Sequence, residues 1–226
     1  TNMQDGLHLA KSAGFEGLDL PINEATTIAE DYSVNYVSEL WLASELIMGG
    51  LVFPRIFRGT DADFEQSLLE LPNLAKLAAH LGWFRATTGV LPASDVPFRE
   101  NWALHVNRLR PGAEILNEYG HSLGIEFISP ATLRKPQKHL FTYTMVAVLG
   151  LAAAIGTGNV GLLFDMWHWY TCHATVDDVR KLTADDIVYV HINDAPPGIV
   201  PDSQIDQVRC LPGATGVIPV SELLQI

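Results

Sequence analysis

The chain has 226 residues, 48% of them hydrophobic, with a formal net charge of −12 at pH 7. That is enough apolar material for one sizeable core, so a single domain over 1–226 is expected, and the acidic balance excludes nucleic-acid backbones as natural partners while suiting a site that collects cations. Two cysteines, Cys172 and Cys210, are too few for a disulfide framework and read as free thiols of a reducing cytoplasm; the longest apolar stretch, Met145 to Ile155, is too short to cross a bilayer.

Nothing at the start reads as a signal peptide, although the first residue is Thr1 rather than Met. Gly6 to Ala13 has helical spacing and Gly14 reads as its stop. Phe15 to Leu20 predicts a short strand ended by Pro21. Asn23 is a candidate cap for a helix to about Glu30. Glu39 to Phe53 is ambiguous between helix and strand.

Asp61 to Leu81 is expected to be a long helix capped by Asp61, because Phe64, Leu68, Leu71, Leu74, Ala75, Ala78 and Leu81 recur at three or four. Trp83 to Leu91 follows as a strand. Pro97 to Tyr119 predicts a second long helix, with Pro111 expected to kink it or delay its start. The remaining order is a strand carrying Glu126, a loop rich in Pro, Lys and Arg, a helix from about Phe141 to Ile155, a strand ending at Asp165, a short helix from Asp177 and a strand carrying His191. Another helix is expected near Ser221. Helix and strand alternating at roughly 30-residue spacing argue for parallel βαβ units. The expected fold is α/β, a TIM-type barrel incomplete at both ends, with about six strands and the first and last not seen.

The strand ends carry the chemistry. In a barrel of parallel strands, successive strand ends point into one bowl, so Glu126, Asp165 and His191 are expected to converge. One imidazole and two carboxylates suit a divalent cation of the Mn, Mg, Co or Zn type. Each residue has a plainer reading beside it. Glu126, on an otherwise apolar strand, needs a partner, and an ion pair with Arg134 supplies one. In Phe164-Asp165-Met166-Trp167-His168-Trp169-Tyr170, Asp165 is either a cation ligand or a helix cap. His168 is placed in the following loop, where an imidazole donates to a hydroxyl. The aromatic side chains, Trp167 among them, are either walls for a sugar or cyclitol or a plug over the mouth. His191 is a ligand or a satisfied core histidine. Asp194 orients His191, contacts substrate, or shapes a turn with Pro196 and Pro197. Arg209 clamps anionic or hydroxyl groups, or lies on a plain loop. Glu16, Asp19, Thr88 and His139 are weaker candidates, and Ser44 lacks a neighbouring His for a nucleophile motif.

Taken together, Ser12-Ala13-Gly14-Phe15-Glu16-Gly17-Leu18, Gly124-Ile125-Glu126-Phe127, the Asp165-x-x-His168 pattern, Tyr189-Val190-His191-Ile192-Asn193-Asp194-Ala195 and Arg209-Cys210-Leu211-Pro212-Gly213 resemble the sugar phosphate isomerase/epimerase superfamily, the xylose-isomerase-like barrels. By that resemblance Glu126, Asp165 and His191 fall on three of four usual metal ligands. His168 and Arg209 fall on positions that usually hold substrate oxygens. The fourth ligand, a Glu of the last strand, has no counterpart, and Ala214 stands where the family commonly has Glu. The resemblance implies a metal-dependent isomerase or epimerase of a keto-sugar, sugar phosphate or cyclitol, with Glu126 as base and a homo-oligomer as one expected state; composition adds a cytoplasmic location without nucleic-acid or membrane partners. Alternatives on the same scaffold are a dehydratase of a cyclic hydroxy-ketoacid such as dehydroshikimate and a non-catalytic carbohydrate-binding barrel. An endonuclease at abasic sites fits poorly, because no basic groove is visible.

Overall fold

The structure, a computed structural model, describes residues 2–52 and 55–226. The chain divides into two compact units, one of residues 1–87 with 111–123 and one of 88–110 with 124–226.

The first unit runs α1 (Met3–Ser12), β1 (Gly17–Leu20), α2 (Ile22–Asp31), α3 (Val34–Ser44), β2 (Ile47–Val52), α4 (Asp61–His80) and the start of β3 (Arg85–Val90). Asn2 caps α1 by accepting from the Asp5 N–H, and Met3, Leu7 and Ala10 form the buried face. The ambiguous stretch from Glu39 resolves into both forms. Helix α3 ends at Ser44, Glu45 takes a left-handed conformation at φ 57°, and β2 begins at Ile47. Phe53, the last residue of that stretch, lies outside the described residues. The cap of α4 is Thr60 rather than Asp61, because Thr60 exchanges hydrogen bonds with Asp63 in a capping box. Strands β1, β2 and β3 pair in parallel. Trp41 and Trp83 meet edge to face with ring centroids 4.4 Å apart, and Trp41 Nε1 donates to Leu46 O at 3.0 Å, so the Trp41 ring is satisfied inside this core.

In the second unit β4 (Ala93–Ser94) precedes α5 (Phe98–Glu118), which passes from this unit to the first. Asn101, His105, Leu109, Ala113 and Leu116 are buried along α5, following the helical period, and the helix continues through Pro111. Then come β5 (Ser122–Phe127), α6 (Ala131–Arg134), β6 (His139–Leu140), α7 (Met145–Ile155), β7 (Val160–Asp165), α8 (Met166–Thr171), α9 (Val176–Val179), β8 (Ile187–His191) and α10 (Val220–Leu223). The strand order here is β3-β5-β7-β8, while β4 and β6 form a separate antiparallel ribbon. Helix α7 starts on a Thr144 cap and buries Met145, Val148, Leu151, Ala152 and Ile155. Strands β5 and β7 carry fully buried Ile125, Phe127 and Leu162. Six strands of the main sheet lie among the described residues, against eight in a closed barrel.

Candidate functional site

Three strand ends of the second unit meet. The β7–β8 register sets Asp165 opposite His191, so both side chains leave the sheet at the same level. Glu126, one residue short of the end of β5, reaches the same point. His191 Nδ1 lies 3.4 Å from Glu126 Oε1 and 3.6 Å from Asp165 Oδ2. Donor atoms held at about 2.1 Å around a tetrahedral ion sit roughly 3.4 Å apart. The two distances from His191 and the O, O, N donor set therefore suit a divalent cation.

Asp165 divides its work between two oxygens. Oδ1 accepts from the N–H of Trp167 at 2.7 Å and of His168 at 3.4 Å, capping α8, and from Asn193 Nδ2 at 3.0 Å. Oδ2 faces His191 and accepts from Arg209 at 2.8 Å. The capping role is observed, and the second oxygen is left facing the cluster. Burial acts to raise its pKa, but contact with His191, the Arg209 charge and the Asn193 hydrogen bond hold it well below the usual carboxylate range. His191 moves the other way. Its contacts with Asp165 and then Glu126 outweigh burial and lift it to about 9. Without a metal, a proton on His191 thus supplies the positive charge that the two carboxylates demand.

His168 is on α8, not in a loop, and is almost wholly buried. The backbone N–H of Ser129 points at His168 Nδ1 from 3.3 Å. A backbone N–H only donates, so this contact calls for a lone pair on Nδ1. Burial lowers the pKa of His168, and an Arg209 terminal nitrogen, which also only donates, lies 3.4 Å from Nε2. Glu126 Oε1 is 3.8 Å from Nε2. Glu126, Asp165 and His168 also form a cluster with donor atoms within 4.8 Å of one another. The two imidazoles differ in surroundings: His168 lies between the Ser129 N–H and an Arg209 nitrogen, whereas His191 presents Nδ1 to both carboxylates.

Arg209 is tightly held. It donates from Nε to Asp206 O at 3.0 Å, from one terminal nitrogen to Asp165 Oδ2 and from the other to Asp206 Oδ1 at 2.9 Å. Its guanidinium lies over the Trp167 ring at 5.3 Å. The nitrogen that reaches Asp206 Oδ1 also lies 3.4 Å from His168 Nε2, so four of the five N–H groups have partners and one remains for a ligand.

Two expected substrate contacts are corrected. Trp167 is fully buried, and its ring serves as a floor for Arg209 rather than a wall for a sugar. Asp194 is also fully buried. Its carboxylate accepts from the backbone N–H groups of Ala195, Thr215, Gly216 and Ile218, at 2.8 to 2.9 Å. Burial pushes its pKa up, but these four donors more than reverse that and hold it low. With Asp194 N–H to Cys210 O and the reverse bond, the residue staples the loop that carries Arg209. The pairing of Glu126 with Arg134 does not form: Arg134 sits over Tyr143 at 4.4 Å and 3.8 Å from Asp202.

The pattern of the xylose isomerase-like TIM barrel family matches residues 7–226. The chain belongs to that family. A xylose isomerase domain protein from Alicyclobacillus acidocaldarius is 30% identical, with a TM-score of 0.91 over 100% of this chain and 79% of that one. An inosose isomerase of Halalkalibacterium halodurans is 28% identical over 124 residues, 54% of this chain and 40% of that protein; the aligned part thus spans less than half of that relative. The IOLI protein, solved with a zinc atom bound, shares the fold at a TM-score of 0.75 and 17% identity, over 100% of this chain and 81% of that one.

Some residues of this xylose isomerase-like site escaped the sequence reading. Asn193 was quoted only within a motif, yet it orients Asp165. Asp206 was not singled out, though its place three residues before Arg209 is a signal for an ion pair. Ser129 acts through its backbone, which no side-chain pattern reveals. Among the described residues, no helix is long and apolar enough to cross a membrane.

Proposed function

We propose that this chain is a divalent-metal-dependent isomerase or epimerase of a keto-sugar or cyclitol, working through proton transfer next to a carbonyl. The observation that carries the reading is the approach of His191 Nδ1 to 3.4 Å from Glu126 Oε1 and 3.6 Å from Asp165 Oδ2, beside the buried imidazole of His168. The likeness to an inosose isomerase supports the substrate class, and the zinc-bound relative of the same fold supports the cofactor class.

Glu126, Asp165 and His191 would hold the metal, which when bound polarises a carbonyl and its neighbouring hydroxyl as a Lewis acid. The Glu126 carboxylate takes the proton from the carbon next to the carbonyl, the C–H electron pair becomes the new C=C bond, and the carbonyl π pair moves onto its oxygen as an enediolate forms. His168, beside Glu126, and Arg209, beside His168, stabilise the oxygen on which charge grows, and burial makes such contacts count for more than in water. Arg209, fixed by Asp165 and Asp206, turns its remaining N–H group to a distal hydroxyl. Proton return to the former carbonyl carbon, with the hydroxyl proton passing to the former carbonyl oxygen, gives the isomer; a proton taken from water on the opposite face of the same carbon, with the Glu126 proton released to water, gives the epimer.

The test is proton exchange. Metal-depleted protein is supplied with Mn²⁺ or Zn²⁺ and a panel of inososes, ketoses and ketose phosphates in D₂O, and deuterium at the carbon beside the carbonyl is followed by NMR. Metal-dependent exchange with formation of an isomer or epimer is expected, and Glu126→Gln is expected to abolish it while leaving the fold intact. Water loss with new ultraviolet absorbance instead would assign a dehydratase. Binding without exchange across the panel would assign a non-catalytic barrel.

A further inference from the structure

Glu126 uses its two oxygens differently. Oε1 faces His191 and His168. Oε2 faces the bare α-carbon of Gly89 on β3. A Cβ built on Gly89 would lie 3.2 Å from Oε2, and 3.3 and 3.7 Å from Cδ1 and Cγ1 of Ile128. Gly89 is buried inside a strand and is not among the glycines with positive φ. Backbone conformation therefore does not require glycine here, and glycine inside a strand is otherwise unfavourable. What the position requires is space, and the space is shared by a carboxylate and one aliphatic side chain.

We infer that Gly89 is a positioning residue for Glu126: its missing side chain leaves the recess in which Oε2 lies, and so fixes the place of Oε1 in the cluster. This rests on the proposed function for the meaning of that cluster. A contact of 3.2 Å forces the softer neighbour to yield by a few tenths of an ångström. Ligand distances tolerate about that much error, so a displaced Glu126 weakens a cation's hold without unfolding the strand. The recess also leaves Oε2 with no hydrogen-bonding partner among the described residues, and a proton-accepting oxygen needs that freedom.

The test is Mn²⁺ titration calorimetry on wild type, Gly89→Ala, Ile128→Val and the double variant, with thermal melts and crystal structures. The expected result is an affinity loss of about tenfold or more in Gly89→Ala, a Glu126 carboxylate shifted away from residue 89, and no recovery in the double variant. Ile128→Val removes Cδ1 and so relieves only the aliphatic contact. Full recovery in the double variant would mean that Gly89 acts through packing on Ile128, which overturns the inference. Wild-type affinity in Gly89→Ala overturns it too. Should wild type itself bind no Mn²⁺, the cation reading fails separately. The two crystal structures then decide: a displaced Glu126 upholds the inference, an unmoved one ends it.

Discussion

Single atoms divide the labour at this site. Asp165 gives one oxygen to the start of α8 and the other to the cluster, and His168 lies between a backbone amide 39 residues earlier and the Arg209 guanidinium. His191 stands apart as the imidazole with a nitrogen between two carboxylates, so His191→Ala is expected to weaken Mn²⁺ binding by about a hundredfold, read by calorimetric titration. An unchanged affinity would transfer the ligand role to His168. Asp194 is the opposite case, a carboxylate consumed entirely by backbone N–H groups. Asp194→Asn replaces half of that acceptor with donors facing donors, and a stability loss of about 2 kcal/mol is expected in urea unfolding at pH 7.

At the scale of elements, the caps are local chemistry and behave as such. Thr60 and Asp63 close the first turn of α4, and Thr60→Ala is expected to cost about 1 kcal/mol, seen as a lower unfolding midpoint without change in the denaturant slope. Helix α8 gives a finer contrast. Asparagine caps about as well as aspartate, so Asp165→Asn is expected to retain the turn that carries His168 while losing cation affinity. Asp165→Ala loses both and should be less stable than Asp165→Asn by about 1 kcal/mol. The helices α4 and α5 were legible because their apolar residues recur at three and four. The six residues of α8 were not, since Met166-Trp167-His168-Trp169-Tyr170-Thr171 is aromatic throughout and one and a half turns show no period. The reading therefore set His168 in a loop.

For the molecule as a whole, burial decides which carboxylates matter for pH. Asp165 and Asp194 are both buried and both held below the ordinary range. A depressed folded-state pKa gives stability that is present above the unfolded value, near 3.9, and is lost as pH falls through the folded value. The deficit of Asp194→Asn relative to wild type is accordingly expected to hold constant from pH 7 to about pH 5 and to shrink below about pH 4, in urea unfolding at stepped pH. A deficit that grows on acidification would contradict the sign.

The chain by itself determined its alternation of helix and strand, the parallel order that follows, and the strand-end positions of Asp165 and His191, because those depend on periodicity and on punctuation by glycine and proline within a few residues. Only the folded structure decided which imidazole faces both carboxylates, that Trp167 and Asp194 are sealed inside, and that the emptiness of Gly89 matters. These depend on neighbours distant in sequence, on backbone amides and on a missing atom, and none of the three leaves a mark in the order of side chains.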